Sequence, residues 1–451
     1  MKPEKMSYNL YIETFGCQMN ERDSEIMVQL LAHDSYLETS RPEEADCIVV
    51  NTCSIRGKAA QKAYSLLGGY KSLKERHPHL VIAVTGCVAQ QDGQALLRKM
   101  PHLDLVVGPQ NIYRLPELVA AARRQAARQV ATELSPAFEI PPFLPAIDPA
   151  AANPRRFVTI MQGCNNFCTY CVVPHTRGRE ISRKPEDIVA EVRHLAAHGV
   201  REVTLLGQNV NSYGLDRPAA EKLPFPALLG KVVEVAGIDR VRFTTSHPKD
   251  LSEELMAAFA RLDKLCPHFH LPVQSGSDRV LARMNRKYSR ESYLEKVAAL
   301  RQHCPEIAIT TDIIVGFPGE SEADFEQTME LLEQVRYDSA FSFKYSDRPN
   351  AAAARFADKV PEELKSERLS RLQARQDEIS AEIRRTLVGR TVEVMVEGRS
   401  KKQGQWSGRT RENRIVNFPS EHDLQPGQLL PVHLKETCRH SLRGVIVCND
   451  Q

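Results

Sequence analysis

Residues 157–171 read Phe157-Val158-Thr159-Ile160-Met161-Gln162-Gly163-Cys164-Asn165-Asn166-Phe167-Cys168-Thr169-Tyr170-Cys171. A short apolar strand runs straight into a C-x3-C-x2-C triplet, with no fourth cysteine near it. Three thiolates on one loop suit three irons of a cubane 4Fe–4S cluster and leave the fourth iron open, which makes it a site for chemistry. The alternative is a structural zinc site with His175 as the fourth ligand. Zinc sites usually pair one CxxC with a second pair further on. The spacing therefore favours the cluster.

Outward from this loop, strand-length and helix-length segments alternate from Arg156 to about Asp347. The candidate strands are Phe157–Met161, Glu202–Leu206, Val241–Thr245, Phe269–Val273, Ile307–Val315 and Ala340–Tyr345, separated by helical stretches such as Pro185–His198 and Glu322–Val335. Repeated βα units curl into a barrel, and six units predict an open, partial (β/α)6 barrel. Upstream, Leu10–Phe15, Cys47–Asn51 and Leu80–Thr85 each lead into a helical segment, which predicts an α/β domain with a parallel, doubly wound sheet. Between the two, residues 136–154 contain six prolines and read as an extended linker. A charged helix follows the barrel at Pro361–Leu387. The tail from Thr391 to Val447 has short runs broken by Gly and Pro and predicts a small antiparallel β-barrel. The expected boundaries are 8–124, 125–153 for the linker, 154–383 and 384–448.

A chain of 451 residues is too long for one ordinary core, so several domains are expected. No apolar run approaches the ~20 residues needed to cross a bilayer, and the charged start Met1–Met6 does not read as an export signal. Eleven cysteines without such a signal point to metal-bound thiols in a reducing cytoplasm rather than to disulfides. Net charge is only +3, but residues 384–451 carry 12 Lys/Arg against 7 Asp/Glu. That surplus is compatible with RNA contact and equally with a solvated face.

Cys17, Cys53 and Cys87 lie far apart in sequence, yet each ends a strand and precedes a helix. Carboxyl ends of parallel strands share one edge of the sheet, where binding sites form. A second three-thiol centre is therefore expected, with three unrelated buried thiols as the alternative. Cys47 is the contrast: it begins a strand, roughly 20 Å from Cys53 at ~3.3 Å per residue, and reads as a small buried hydrophobe. Cys266, Cys304, Cys438 and Cys448 read the same way.

Together these features resemble the methylthiotransferase family of radical S-adenosylmethionine (SAM) enzymes over nearly the whole chain. The resemblance rests on Thr14–Asn20, Asn51–Arg56, Gly86-Cys87, Gly163–Arg179, Leu206–Gly214, Thr245–Pro248, Leu271–Ser277 and Asp312–Glu320. It implies a three-cysteine N-terminal domain, a radical SAM core and a C-terminal TRAM domain. It further implies two 4Fe–4S clusters, one on Cys164, Cys168 and Cys171 and an auxiliary one on Cys17, Cys53 and Cys87. Two SAM molecules serve each turnover, one as the source of a 5′-deoxyadenosyl radical and one as methyl donor. By resemblance and topology Gln208, Asn209, Asn211, Ser246 and Gln274 are SAM-binding candidates, with loop-capping hydrogen bonds as the other reading. Lys401, Arg409, Arg411 and Arg414 are RNA-backbone candidates. Arg177 and Arg179 are candidates for phosphate contact or for surface ion pairs. Trp406 is expected to fill the small barrel.

The implied substrate is tRNA bearing N6-isopentenyladenosine at position 37, next to the anticodon, converted to its 2-methylthio derivative. Threonylcarbamoyl-adenosine tRNA and a ribosomal protein side chain are the alternatives within the family, and a non-catalytic iron–sulfur RNA-binding protein lies outside it. A flavodoxin-like electron donor and a monomeric state are also implied. Two departures stand out: Asn350 and four alanines follow Pro349 where the family often has Gly-Thr, and Asp312 replaces a glycine common in radical SAM enzymes.

Overall fold

The N-terminal segment forms a six-stranded, wholly parallel sheet in the order 36–38, 8–14, 47–52, 81–85, 105–107, 129–131. The computed structural model describes residues 7–54, 57–125, 128–145, 153–400, 402 and 404–447. The strand Cys47–Thr52 is buried along its whole length, as a parallel strand covered on both faces must be. Its side chains alternate between two cores: Cys47 and Val49 pack with Leu10, Val81 and Leu105 on one face, Ile48 and Val50 with Ile82, Val84 and Val106 on the other. Three of the six strands were not anticipated by the sequence reading. Tyr36–Glu38, Leu105–Val107 and Gln129–Ala131 are only three residues long, too short for a periodicity to show. The last of them lies within the segment read as linker. The described part of the proline-rich stretch, up to residue 145, has no regular structure. The strand order reverses on either side of Tyr8–Thr14, and the crevice beyond the carboxyl ends of such a reversal is where ligands bind.

The core contains six parallel strands in two sheets of three. One runs Arg240–Thr244, Glu202–Leu206, Arg155–Thr159, and the other His268–His270, Ala308–Val315, Ser339–Lys344. A single bridge, Val241 to Leu265, joins them into an open arc that follows sequence order. The helix Glu322–Val335 has the predicted bounds and starts with a Ser321/Asp324 capping box. Ser339–Lys344 is the edge strand of its sheet and shows Phe341 and Phe343 to solvent at 53% and 38% exposure. Phe341 pairs in register with Asp312 and Phe343 with Ile314, so both face the inside of the arc.

The tail is a closed five-stranded barrel around Val394, Val396, Trp406, Val416 and Phe418. Its pairs are antiparallel except Ile415–Pro419 with Leu442–Ile446, which close the barrel in parallel. The barrel docks on the core through charge rather than apolar surface. Arg242 donates to the carbonyls of Arg411 and Thr410 at 2.7 and 2.9 Å and pairs with the buried Glu202 at 2.9 Å. Arg240 reaches the Arg409 carbonyl and Glu393, both at 2.8 Å. Deleting the tail from Thr391 is expected from sequence to weaken RNA binding and leave SAM cleavage intact. The structure changes the second half, because the deletion takes from the buried Arg240 and Arg242 their acceptors in the barrel. Arg242→Ala, which leaves Glu202 with Arg155 alone, is expected to cost about 3–5 kcal/mol. It should lower the thermal unfolding midpoint of the core, and an unchanged midpoint would show that the dock carries no stability.

Candidate active site

Cys17, Cys53 and Cys87 follow three adjacent strands of the sheet, at the carboxyl edge beside the order reversal. Two glycines let them come together. Gly16 has φ +119°, and a Cβ there would lie 2.2 Å from Cys53 Cβ and 2.8 Å from its sulfur. Gly86 has φ +88°, and its Cβ would meet the Thr52 carbonyl at 2.3 Å. Both positions therefore require glycine, for backbone angle and for space. Gly16→Ala is expected to push Cys53 out of place and to part the three thiols, checked by iron per chain after anaerobic reconstitution. Asn20 ties the edge together by donating to the carbonyls of Phe15 and Thr52, both at 2.9 Å. A hydrogen bond with the Cys53 thiol, helped by the charge of Arg177, lowers Cys17 to about 6, while burial raises Cys87. Cys47 lies at the opposite end of its strand, fully buried in the apolar core, where burial pushes its thiol up to about 12. Cys47→Ala is expected to keep all iron and to cost about 1 kcal/mol of stability. Loss of iron would refute the strand-end placement.

The second triplet leaves its strand through Gly163, at φ +83°, whose missing side chain lets the Arg179 carbonyl close to 1.9 Å from the Cβ position. Three of the six centre cysteines are thus preceded by a glycine with positive φ, a Gly-Cys signature visible in the sequence. Burial pushes Cys164 up to about 11 and Cys171 up to about 12. Cys168 has two donors beside its sulfur. Arg286 Nη1 lies at 3.4 Å and His247 Nε2 at 3.9 Å. His247 Nδ1 accepts from the Lys249 backbone N–H at 3.2 Å, which leaves the ring proton on Nε2, toward the sulfur. Burial and the neighbouring cations Arg286, Lys249 and Lys296 hold this ring neutral, down to about 2.

Cys17 and Cys87 of the first triplet and all three cysteines of the second line one cavity of about 250 Å³. Gln208, Ser246 and Gln274 are on its wall, and the Ser246 hydroxyl is buried without a partner. Asn209 and Asn211 are not. Asn209 donates to Asp250 at 2.8 Å, and Asn211 clamps the His247 backbone from both sides at 2.9 and 3.0 Å. Those two follow the loop-bracing reading. The wall also holds Tyr170, Arg286, His247 and Asp312, none of which was singled out as a site residue. His247 and Asp312 stood in recognisable motifs, whereas nothing in the sequence around Arg286 marked it.

Three family models match the chain: the Radical SAM superfamily over 158–332, Uncharacterized protein family UPF0004 over 9–108, and the TRAM domain over 385–447. Proteins named tRNA-2-methylthio-N(6)-dimethylallyladenosine synthase match end to end. The one from Desulfotalea psychrophila is 52% identical over 97% of this chain and 99% of its own length. The one from Syntrophus aciditrophicus is 50% identical over 98% and 95%. This chain belongs to that synthase family. Among solved structures, the radical SAM methyltransferase TsrM from Kitasatospora setae superposes with a TM-score of 0.57 over 77% of this chain and 75% of its own, at 14% identity, which is a likeness of fold.

Membership in the radical SAM superfamily makes this an enzyme that uses SAM and a 4Fe–4S cluster. The residues present fit that group. Three thiols converge on one loop facing a cavity, with the Arg286 cation beside them to offset negative charge. Among the described residues no three His, Cys, Asp or Glu side chains approach closely enough to hold a single ion.

The tail arginines are committed within the protein. Arg409 pairs with Glu397 at 2.9 Å, Arg414 with Asp338 at 2.5 Å, and Arg411 holds the Asp263 and Leu265 carbonyls. They line the dock with the core, half-buried, because this turn faces the core strands. Lys401 lies outside the described residues, as does Cys448. Arg177 is buried, while Arg179 is exposed and lies over the Phe167 ring at 4.4 Å. Trp406 fills the barrel as expected. The loop that departs from the family pattern backs both triplets: Ala353 N–H donates to the Thr169 carbonyl at 2.8 Å, and Arg348 is within electrostatic reach of Cys53.

Proposed function

We propose that this chain converts N6-isopentenyladenosine next to the tRNA anticodon into its 2-methylthio derivative, using two 4Fe–4S clusters and two SAM molecules per turnover. The observation that carries this reading is the single cavity on which cysteines of both triplets open. An adenine C2–H is not acidic and hydride is not a leaving group, so ordinary base or thiolate chemistry does not reach the product. When bound, the clusters and SAM supply the radical and the methylated sulfur. The chain supplies the rest. Cys164, Cys168 and Cys171 hold the core cluster, and Cys17, Cys53 and Cys87 the auxiliary one. Gln208, Ser246 and Gln274 offer polar atoms to SAM. Met19, Val172, Val173, Leu206 and Pro272 make the walls apolar and limit water. Reductive cleavage of SAM consumes an electron, which an external low-potential reductant of flavodoxin type supplies.

No helix among the described residues is long and apolar enough to cross a membrane, and the ten described cysteines are all free thiols. We take the working unit to be a monomer in a reducing cytoplasm, where metal-bound thiols persist. The domain limits 8–124, 154–383 and 384–448 remain the proposed division, with 125–153 now known to include one sheet strand. Anaerobic reconstitution followed by iron and sulfide analysis is expected to give two clusters per chain. With SAM, reductant and prenylated tRNA, mass spectrometry of digested nucleosides is expected to show the 2-methylthio product. One cluster per chain, or no modified nucleoside, would sink this reading.

A further inference from the structure

The loop after the second triplet carries Arg177, yet this residue serves the first. It follows the short helix Val173–Thr176 and reaches into the N-terminal domain. Its Nη2 donates to Asp23 Oδ2 at 2.6 Å and to Asn20 Oδ1 at 3.0 Å. Both acceptors belong to the helix Gln18–His33, which starts just after Cys17. The side chain is 3% exposed. Its Nη1 is also buried and meets no acceptor in good hydrogen-bond geometry, and the guanidinium lies on the cavity wall beside Cys17 and Cys87, whose thiolate forms its charge favours. A buried guanidinium N–H without an acceptor costs about 1–3 kcal/mol, so its placement calls for an anionic acceptor in the cavity.

We propose that Arg177 is the positioning residue of the N-terminal centre. Its Nη1 donates to a sulfur of the group held by Cys17, Cys53 and Cys87, and its charge offsets that of the thiolates. Asp23 and Asn20 fix the guanidinium in this direction. The residue that tunes the auxiliary centre thus comes from the domain that binds SAM, which ties the reducibility of one centre to correct docking of the other. This inference rests on the auxiliary-cluster reading. Hydrogen bonds and positive charge at cluster sulfurs raise the reduction potential, because they favour the more negative, reduced state.

The test is a potentiometric titration of the full-length, anaerobically reconstituted protein, followed by electron paramagnetic resonance. Cys168→Ala isolates the N-terminal centre. In that background Arg177→Met is expected to lower the reduction equilibrium about tenfold, ~59 mV for a one-electron couple, with iron retained. Arg177→Lys, which keeps the charge, should fall between. Asp23→Asn breaks the same ion pair but removes a negative charge, so it should shift the potential upward. A bolt that merely joins two domains predicts the same direction for Arg177→Met and Asp23→Asn, and that result would overturn the proposal. Unchanged potentials with iron present would also overturn it while leaving the auxiliary cluster standing. Absence of iron from the Cys168→Ala parent would instead overturn the cluster reading and this inference together.

Discussion

Cys53→Ala protein is expected to go on cleaving SAM while making no methylthiolated RNA, whereas Cys168→Ala protein does neither. The division follows from where the thiols come from. Cys53 ends a strand of the N-terminal sheet and belongs to none of the core's hydrogen-bonded elements. Its removal leaves the second triplet, Arg286, His247 and Gln274 untouched. Cys168 stands between the Arg286 and His247 donors, and its loss also leaves two buried cationic and polar N–H groups facing an empty position. Its loss should therefore remove cluster iron and destabilise the loop as well. The measurements are 5′-deoxyadenosine release by chromatography and modified nucleoside by mass spectrometry on the same samples. Wild-type methylthiolation by Cys53→Ala would end the two-centre account. Loss of SAM cleavage in Cys53→Ala with its second centre intact would show that the two sites act as one.

The cysteines were legible because their chemistry imposes local patterns: three thiols on one loop, and strand–Cys–helix repeated three times. The arc of six strands was legible because buried parallel strands read as apolar runs. The three-residue edge strands were not, since Tyr36–Glu38 and Gln129–Ala131 gain their structure from neighbours rather than from their own sequence. The ion pairs of the tail arginines were not legible for a similar reason. A basic stretch looks the same whether phosphate or a half-buried carboxylate such as Asp338 awaits it, and only the packing of the core against the turn at 410–414 decides. Arg286 and Arg177 owe their roles to distances across the fold, 118 residues to Cys168 and 154 to Asp23, which no local motif encodes.

Prenylated tRNA is expected to be modified at least about 100-fold more efficiently, in kcat/KM, than tRNA carrying threonylcarbamoyl-adenosine. A threonylcarbamoyl group brings a carboxylate that needs a cation when water is excluded, and an uncompensated buried charge costs about 3–5 kcal/mol. The only cations on the described cavity wall are Arg177 and Arg286. Arg286 is spent on Cys168, Tyr170 and the Pro272 carbonyl, and Arg177 is held by Asp23 through Nη2 and, by the inference above, turned through Nη1 to the N-terminal centre. Asp312 on the same wall would repel a second carboxylate. A five-carbon prenyl tail meets no such penalty, and beside Asp312 the inner face of the arc offers Phe341, with Phe343 one pleat further along the same strand. Each buried CH2 contributes about 0.8 kcal/mol, so truncating these walls has a measurable cost. The double variant Phe341→Ala, Phe343→Ala is expected to bind a prenylated anticodon stem-loop roughly tenfold more weakly, with binding of the unprenylated stem-loop unchanged. Equal weakening of both RNAs would place the two aromatics on the general RNA surface instead. Faster turnover of the threonylcarbamoyl substrate would overturn the assignment of the prenylated base, whatever the variants do.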